Sequence, residues 1–223
     1  PAEQASDKRT EDSLFVYYHG IRPGEYEIRA AYSGKLRRAS KEPFRYACPQ
    51  PAVQDSTTRG DWPGQYGSKG YVFCHYEPDG SHRIRLPEFT DSIRFAKTGG
   101  LHIATRTDDR RAPVSEDGSG TRNAGTVVTL DPAPCNQTMT VDIRNKHDGP
   151  YRLALYFVDW EKTGRRSAVE VFDLDDKRLL MPVQIVRDYR EGRYVVLSLE
   201  GSVRLRINQV RGTNASLCAL FFD

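Results

Sequence analysis

The sequence predicts an all-β chain, an antiparallel β-sandwich or jelly roll preceded by a short β segment, and three observations lead there. Apolar and polar residues alternate with period two along much of the chain. No window of a dozen residues sustains apolar spacing at three and four, so helices are expected only as single turns. Turn residues punctuate the alternating runs at short intervals, which favours many short antiparallel strands closing into two stacked sheets, each burying its apolar side against the other.

In chain order, the first 50 residues differ from the rest. The segment FVYYHGIRPGEYEIRAAYSGKLRRASKEPFRYA contains a hairpin pattern, with Tyr26 and Ile28 set between Glu25, Glu27 and Arg29, and then a basic, less regular stretch. Cys48-Pro49-Gln50-Pro51 reads as a boundary, so residues 1–50 are assigned to a tail and β appendage, or the end of a preceding domain, and 51–223 to the sandwich. The competing expectation is that these strands add an edge to the sandwich itself. Strands are expected near 71–76, 82–86, 91–95, 101–105, 126–130, 151–158, 167–173, 193–199 and 217–222. Met139 to Ile143 alternates, and Ser202 to Ile207 does so most cleanly, with Val203, Leu205 and Ile207 facing one way and Ser202, Arg204 and Arg206 the other. Pro78-Asp79-Gly80, Asp117-Gly118, Asp131-Pro132, Asp148-Gly149-Pro150 and Glu191-Gly192 supply the reversals, glycine by admitting positive φ and proline by fixing it.

Composition narrows the function classes. The net charge of +3 is small beside 33 basic and 30 acidic residues, so the strong basic field of a nucleic-acid binder is missing. No apolar run approaches the roughly 20 residues that span a bilayer, and no membrane anchor is expected. The opening PAEQASDKRTED has neither a basic start nor an apolar signal core and reads as a mature or excised fragment. Cys48, Cys74, Cys135 and Cys218 are too widely spaced for a C-x-x-C metal site; buried free thiols or one disulfide are expected. Asn136-Gln-Thr and Asn214-Ala-Ser fit the glycosylation pattern, which occurs often by chance.

From residue 55 onward the chain resembles galactose-binding-like β-sandwich modules appended to bacterial polysaccharide-degrading enzymes, related to malectin-like and other carbohydrate-binding modules. DSTTRGDWPGQYGSKGYV at 55–72 resembles the family's opening pattern, TRTDDRRA at 105–112 with Arg122 its middle loop, and YRLALYFVDWEKTGR and the closing NASLCALFFD supply the other two segments. The middle loop departs from the family form. The resemblance implies a non-catalytic module, secreted or periplasmic, that binds an oligosaccharide or polysaccharide beside an adjoining catalytic domain. It carries no cofactor beyond the structural calcium such modules often hold. For calcium, Asp173-Leu174-Asp175-Asp176 and Asp108-Asp109 offer oxygen ligands, but the cations that follow each run neutralise them, and solvated turns are the expectation.

A sugar site needs a flat aromatic platform and planar polar groups. The candidate ligand-binding residues are Trp62 and Tyr66 in a glycine-rich segment, Arg106, Asp108, Asp109 and Arg110 in the middle loop, and Asp159, Trp160 and Arg165 where a dense apolar strand ends. The abundance of arginine suggests acidic sugars. Each residue has a plainer role available: Trp62 as core packing, Asp159 as a turn former, the arginine and aspartate residues as a mutually paired loop. A structural accessory domain without a sugar site is the alternative. A lyase using His75, Tyr66 and Arg106, or a glycosidase using two of the many carboxylates, is a third reading that no G-x-S-x-G, H-E-x-x-H or phosphate-loop motif supports.

Overall fold

The computed structural model describes residues 52–130 and 137–223 throughout, and within the first 50 residues the backbone of six short strands. The turn expected at Asp131-Pro132, the Cys48-to-Pro51 boundary, Cys135, Asn136 and Ile28 lie outside the described residues. The chain divides into two units, Pro1–Pro49 and Gln50–Asp223. In the first, β1 (Gln4–Thr10) pairs with β2 (Ser13–Tyr18), β3 (Gly24–Tyr26) with β6 (Phe44–Tyr46), and β4 (Arg29–Tyr32) with β5 (Lys35–Arg38), all antiparallel.

The second unit is an antiparallel β-sandwich with no helix among its described residues. Its strands are β7 (Val53–Asp55), β8 (Gly70–Phe73), β9 (Arg83–Arg85), β10 (Thr90–Ala96), β11 (Thr98–Ala104), β12 (Ala124–Thr129) and β13 (Thr138–Asn145), followed by β14 (Pro150–Phe157), β15 (Arg166–Asp173), β16 (Gln184–Val186), β17 (Arg193–Glu200), β18 (Val203–Arg211), β19 (Ser216–Leu217) and β20 (Ala219–Phe222). One sheet has the order β7-β17-β14-β20-β8-β9 and the other β10-β13-β18-β15-β16, while β11-β12-β19 form a smaller third sheet. The short strands β7 and β16 have no alternating pattern to announce them; each is an edge strand held by its longer neighbour.

The clean alternation of β13 and β18 has a direct cause. Met139, Val141 and Ile143, with Val203, Leu205 and Ile207, face the inter-sheet core, and the polar residues between them face outward. Their neighbours across the core are Leu153, Leu155 and Phe157 of β14 and Val195 and Leu197 of β17. The six-stranded sheet behaves differently because both of its faces are covered. Its outer face, carrying Tyr71, Phe73, Tyr156, Tyr194 and Phe221, packs into a second core with Trp62 and Tyr76. Strands buried on both faces read as continuous apolar runs, and this accounts for YVFC, LALYFV, YVVL and CALFF.

Two loops, residues 56–69 and 105–123, form the lid of that second core. They are tied to each other where Gly60 N–H donates to Arg110 O (2.9 Å) and Val114 N–H donates to Gly60 O (3.0 Å). A Cβ on Gly60 would stand 2.0 Å from Ala112 O, so only glycine allows this approach. Three tyrosines rise from the sheet or its margin and donate their hydroxyls to lid carbonyls: Tyr156 to Arg111 O (2.8 Å), Tyr76 to Pro113 O (3.2 Å) and Tyr194 to Arg59 O. Each buries a ring and still satisfies its hydroxyl.

At the end of β8, His75 is held at φ 48°. Its N–H donates to His82 Nδ1 (2.9 Å), and its carbonyl lies 3.0 Å from His102 Nδ1. That carbonyl can only accept, so His102 carries a proton on Nδ1, and its Nε2 lies 2.8 Å from Thr105 Oγ1. His82 must be unprotonated at Nδ1. Burial, and then the neighbouring His75, push its pKa below the usual histidine value. The unfolded chain therefore binds this proton first as pH falls. The associated stability is complete above about pH 6.5 and declines below it. Urea midpoints measured from pH 8 to pH 5 are expected to fall, and His82→Gln to make that slope shallower; parallel slopes would refute the assignment.

Candidate functional site

The structure brings the middle loop and the 159–165 turn to one end of the sandwich: the Arg111 guanidinium lies over the Trp160 ring, 5.0 Å from its centroid. Arg111 also binds Asp109 with both arms (2.6 and 3.0 Å) and donates to Arg190 O (3.0 Å). Arg110 pairs with Asp61 (2.7 Å), as does Arg122. Glu191 joins Arg59 and Lys162 (3.9 and 3.7 Å). Arg59, Arg106 and Lys162 are non-glycine residues held at positive φ, so backbone strain collects at this end.

Most of the residues picked from the sequence here are occupied in holding loops together. Trp62 is 4% exposed, with its ring 5.2 to 5.6 Å from Tyr71, Phe73 and Phe221 and its indole N–H donating to Val114 O (2.7 Å). It offers no free face. Asp159 is 1% exposed: its carboxylate accepts from the N–H groups of Thr163, Gly164 and Arg165 (3.2, 2.7 and 3.2 Å) and from the Arg165 guanidinium (2.7 Å). Burial would raise its pKa, but these bonds outweigh it and hold the carboxyl below the usual range. Arg165, 5% exposed, also reaches Glu161, Asn214 Oδ1 (2.8 Å) and Thr213 Oγ1 (3.2 Å). Trp160 is partly buried against the second core under Arg111, and its N–H has no well-aligned acceptor. Asp109 is bound by Arg111, and Asp108 and Arg106 are exposed.

Nor do Tyr66, His75 and Arg106 meet. Tyr66 donates to Asp55 (2.9 Å), His75 packs on His82 (ring centroids 4.6 Å apart), and Arg106 places its N–H on Asn123 Oδ1 (3.0 Å). In the turn after β15, Asp173 accepts from the N–H groups of Asp175 and Asp176 (2.9 and 3.0 Å). Among the described residues no three His, Cys, Asp or Glu side chains converge to hold a metal ion. Cys74 and Cys218 are buried free thiols.

Of the nine, Arg106, Asp108 and Arg110 are exposed, and Tyr66 is the one aromatic fixed at the margin of the lid by a hydroxyl bond. It is half-buried, stacked on Tyr194 (4.4 Å between centroids), with its hydroxyl fixed by Asp55, and it stands where the lid ends. One step further along the same face, the cross-strand partners Ser198, Arg152 and Asp223 form a row on β17, β14 and the end of β20. With Pro150 and Glu200 they line a groove of about 480 Å³, within the range of small-ligand sites. Ser198, Arg152 and Glu200 are exposed and make no side-chain hydrogen bond or ion pair among the described residues. Asp223 uses Oδ1 to accept from Ser68 N and Oγ (both 2.9 Å), and its Oδ2 is buried without a partner. The groove thus presents a guanidinium, the Glu200 carboxylate and a hydroxyl with the Asp223 carboxyl beside them, and the Tyr66 hydroxyl lies within electrostatic reach of Arg152 and Asp223.

Sequence reasoning missed Arg152, Ser198, Glu200 and Asp223, because they stand singly in or at the ends of strands and not in polar loop clusters. The available signal was different. Three apolar runs are interrupted or ended by polar residues, Arg152 in YRLALYFV, Ser198 and Glu200 in YVVLSLE and Asp223 in CALFFD, and strand register sets Ser198, Arg152 and Asp223 side by side.

No protein-family model matches the chain, and no curated protein does. Among solved structures, the chain is similar to a family 35 carbohydrate binding module from Clostridium thermocellum, at 10% identity and a TM-score of 0.32 over 59% of this chain and 98% of that one. It is similar to a carbohydrate binding module of Cellvibrio mixtus lichenase 5A in complex with cellotriose, at 8% identity and 0.35 over 70% and 96%. A two-domain fragment of Clostridium perfringens ZmpB in complex with GalNAc gives 11% and 0.43 over 81% and 41%. At these values nothing of those proteins' ligands is transferred to this chain.

Proposed function

We propose that the chain is a non-catalytic carbohydrate-binding module that holds an attached polysaccharide-degrading enzyme on its glycan outside the cell, in the secreted or periplasmic space. The observation that carries the reading is the open groove on the sheet, where Ser198, Arg152 and Glu200 stand exposed and without side-chain partners among the described residues. Sugars carry hydroxyls around the ring edge, which the unpaired Arg152 guanidinium, Glu200 carboxylate and Ser198 hydroxyl match. The acidic-sugar preference suggested by the arginine-rich loops finds no support, since Arg110, Arg111, Arg122 and Arg165 are all paired with carboxylates.

Affinity electrophoresis on a panel of soluble polysaccharides tests the reading. Retardation is expected on at least one of them, and Arg152→Ala is expected to weaken binding about 10- to 100-fold, the effect of losing charged hydrogen bonds of about 1.5–3 kcal/mol, without altering the circular dichroism. No retardation of the folded protein on any polysaccharide would end it.

One observation favours a second reading, an accessory domain docked on the catalytic domain of the same protein. Leu101 and Ile103 on the outward side of β11 are 49% and 40% exposed, and Leu130, 64% exposed, lies over Gly99 in the same line. Protection of β11 from hydrogen exchange in the parent protein, absent from the isolated chain, would support docking.

A further inference from the structure

The charges around the groove go beyond the assignment of a saccharide to the kind of saccharide. Resting on the reading above, we infer that the groove selects neutral oligosaccharides and rejects uronate-bearing ones. Arg152 is its one cation, and Glu200 and Asp223 are its two anions. None of the three is neutralised by an ion pair among the described residues, so the lining carries one net negative charge at neutral pH. Asp148 adds to this field from the next turn, where its Oδ1 would stand 2.8 Å from a Cβ on Gly201.

A neutral sugar meets this lining with complementary groups throughout: its hydroxyls donate to the exposed Glu200 carboxylate and accept from Arg152 and Ser198. A uronate carboxylate loses that match, because it cannot donate to Glu200, and it comes near the negative charge of Asp223, whose shielded carboxyl offers it no bond. The three strands Ser198, Arg152 and Asp223 belong to are adjacent, so the row spans about 10 Å at the usual strand spacing. A short oligosaccharide fits that length better than a single ring.

Calorimetry with matched pairs tests this, with cello-oligosaccharides against their C6-oxidised cellouronate forms and galacto-oligosaccharides against oligogalacturonates. The neutral member of a pair is expected to bind at least about tenfold more tightly. The ratio is expected to shrink with Glu200→Gln, an exposed side chain whose loss leaves the fold intact, and in about 1 M salt, where screening falls to about 3 Å. Uronates binding equally well or better would overturn the inference and leave the sugar-binding reading standing. Binding of no saccharide in either arm, together with no retardation on any polysaccharide of the panel and with the fold confirmed by circular dichroism, would overturn both.

Discussion

Asp159→Ala is expected to cost about 3–5 kcal/mol, because it leaves the Arg165 guanidinium without its one buried counter-charge. Arg165 is 5% exposed and Asp159 1%, and they meet at 2.7 Å. Glu161, half exposed and paired with the same Nη1 of Arg165, compensates in part, so the lower end of that range is expected. The same carboxylate also accepts the N–H groups of Thr163, Gly164 and Arg165, so its removal loosens the turn that presents Trp160. Urea unfolding checks the loss, and Asp159→Asn paired with Arg165→Met, which removes both charges while keeping bulk, is expected to recover most of it. The pH dependence has a defined sign. The folded pKa of Asp159 is lowered, so its contribution is complete above the usual aspartate value near 3.9 and is lost as pH falls through the folded value. Wild-type stability should drop below about pH 4, and Asp159→Asn should drop less. Equal acid slopes would remove Asp159 from this role.

Trp62→Ala is expected to cost a comparable 3–5 kcal/mol, in this case by opening a cavity beneath the lid. The indole fills the space above Tyr71, Phe73 and Phe221, and its N–H bond to Val114 O pins the 105–123 loop to the sheet. Trp62→Phe keeps most of the ring and loses only the bond, so about 1 kcal/mol of further loss beyond repacking is expected for that variant. A thermal shift of the alanine variant smaller than that of the phenylalanine variant would contradict the packing role. Acrylamide is expected to leave Trp62 emission unquenched in the wild-type protein, since the ring is sealed.

The two indoles show why sequence reasoning reached the fold more readily than the site. Val203, Leu205 and Ile207 alternate with arginines because one face meets the opposite sheet and the other meets water, a condition written locally into the chain. A tryptophan in a glycine-rich loop has no such local mark. Whether Trp62 faces solvent or a second core depends on the 56–69 loop folding back across a sheet whose strands come from residues 70–73, 150–157 and 219–222. The charged loop at 105–111 is similar: Arg110 and Arg122 find Asp61, about 50 and 60 positions away, only because Gly60 lets two backbones approach closely.

By itself, then, the sequence determined an all-β sandwich, most of its strands and several of its turns, since side-chain period and turn chemistry act over a few residues. Tertiary structure alone decided that the six-stranded sheet has a second covered face, that the conspicuous aromatic and charged loop residues hold its lid, and that Arg152, Ser198 and Asp223 stand in a row. Strand register and loop closure join residues more than a hundred positions apart, and the contacts that set them come from burying both faces of one sheet, which no short stretch of chain encodes.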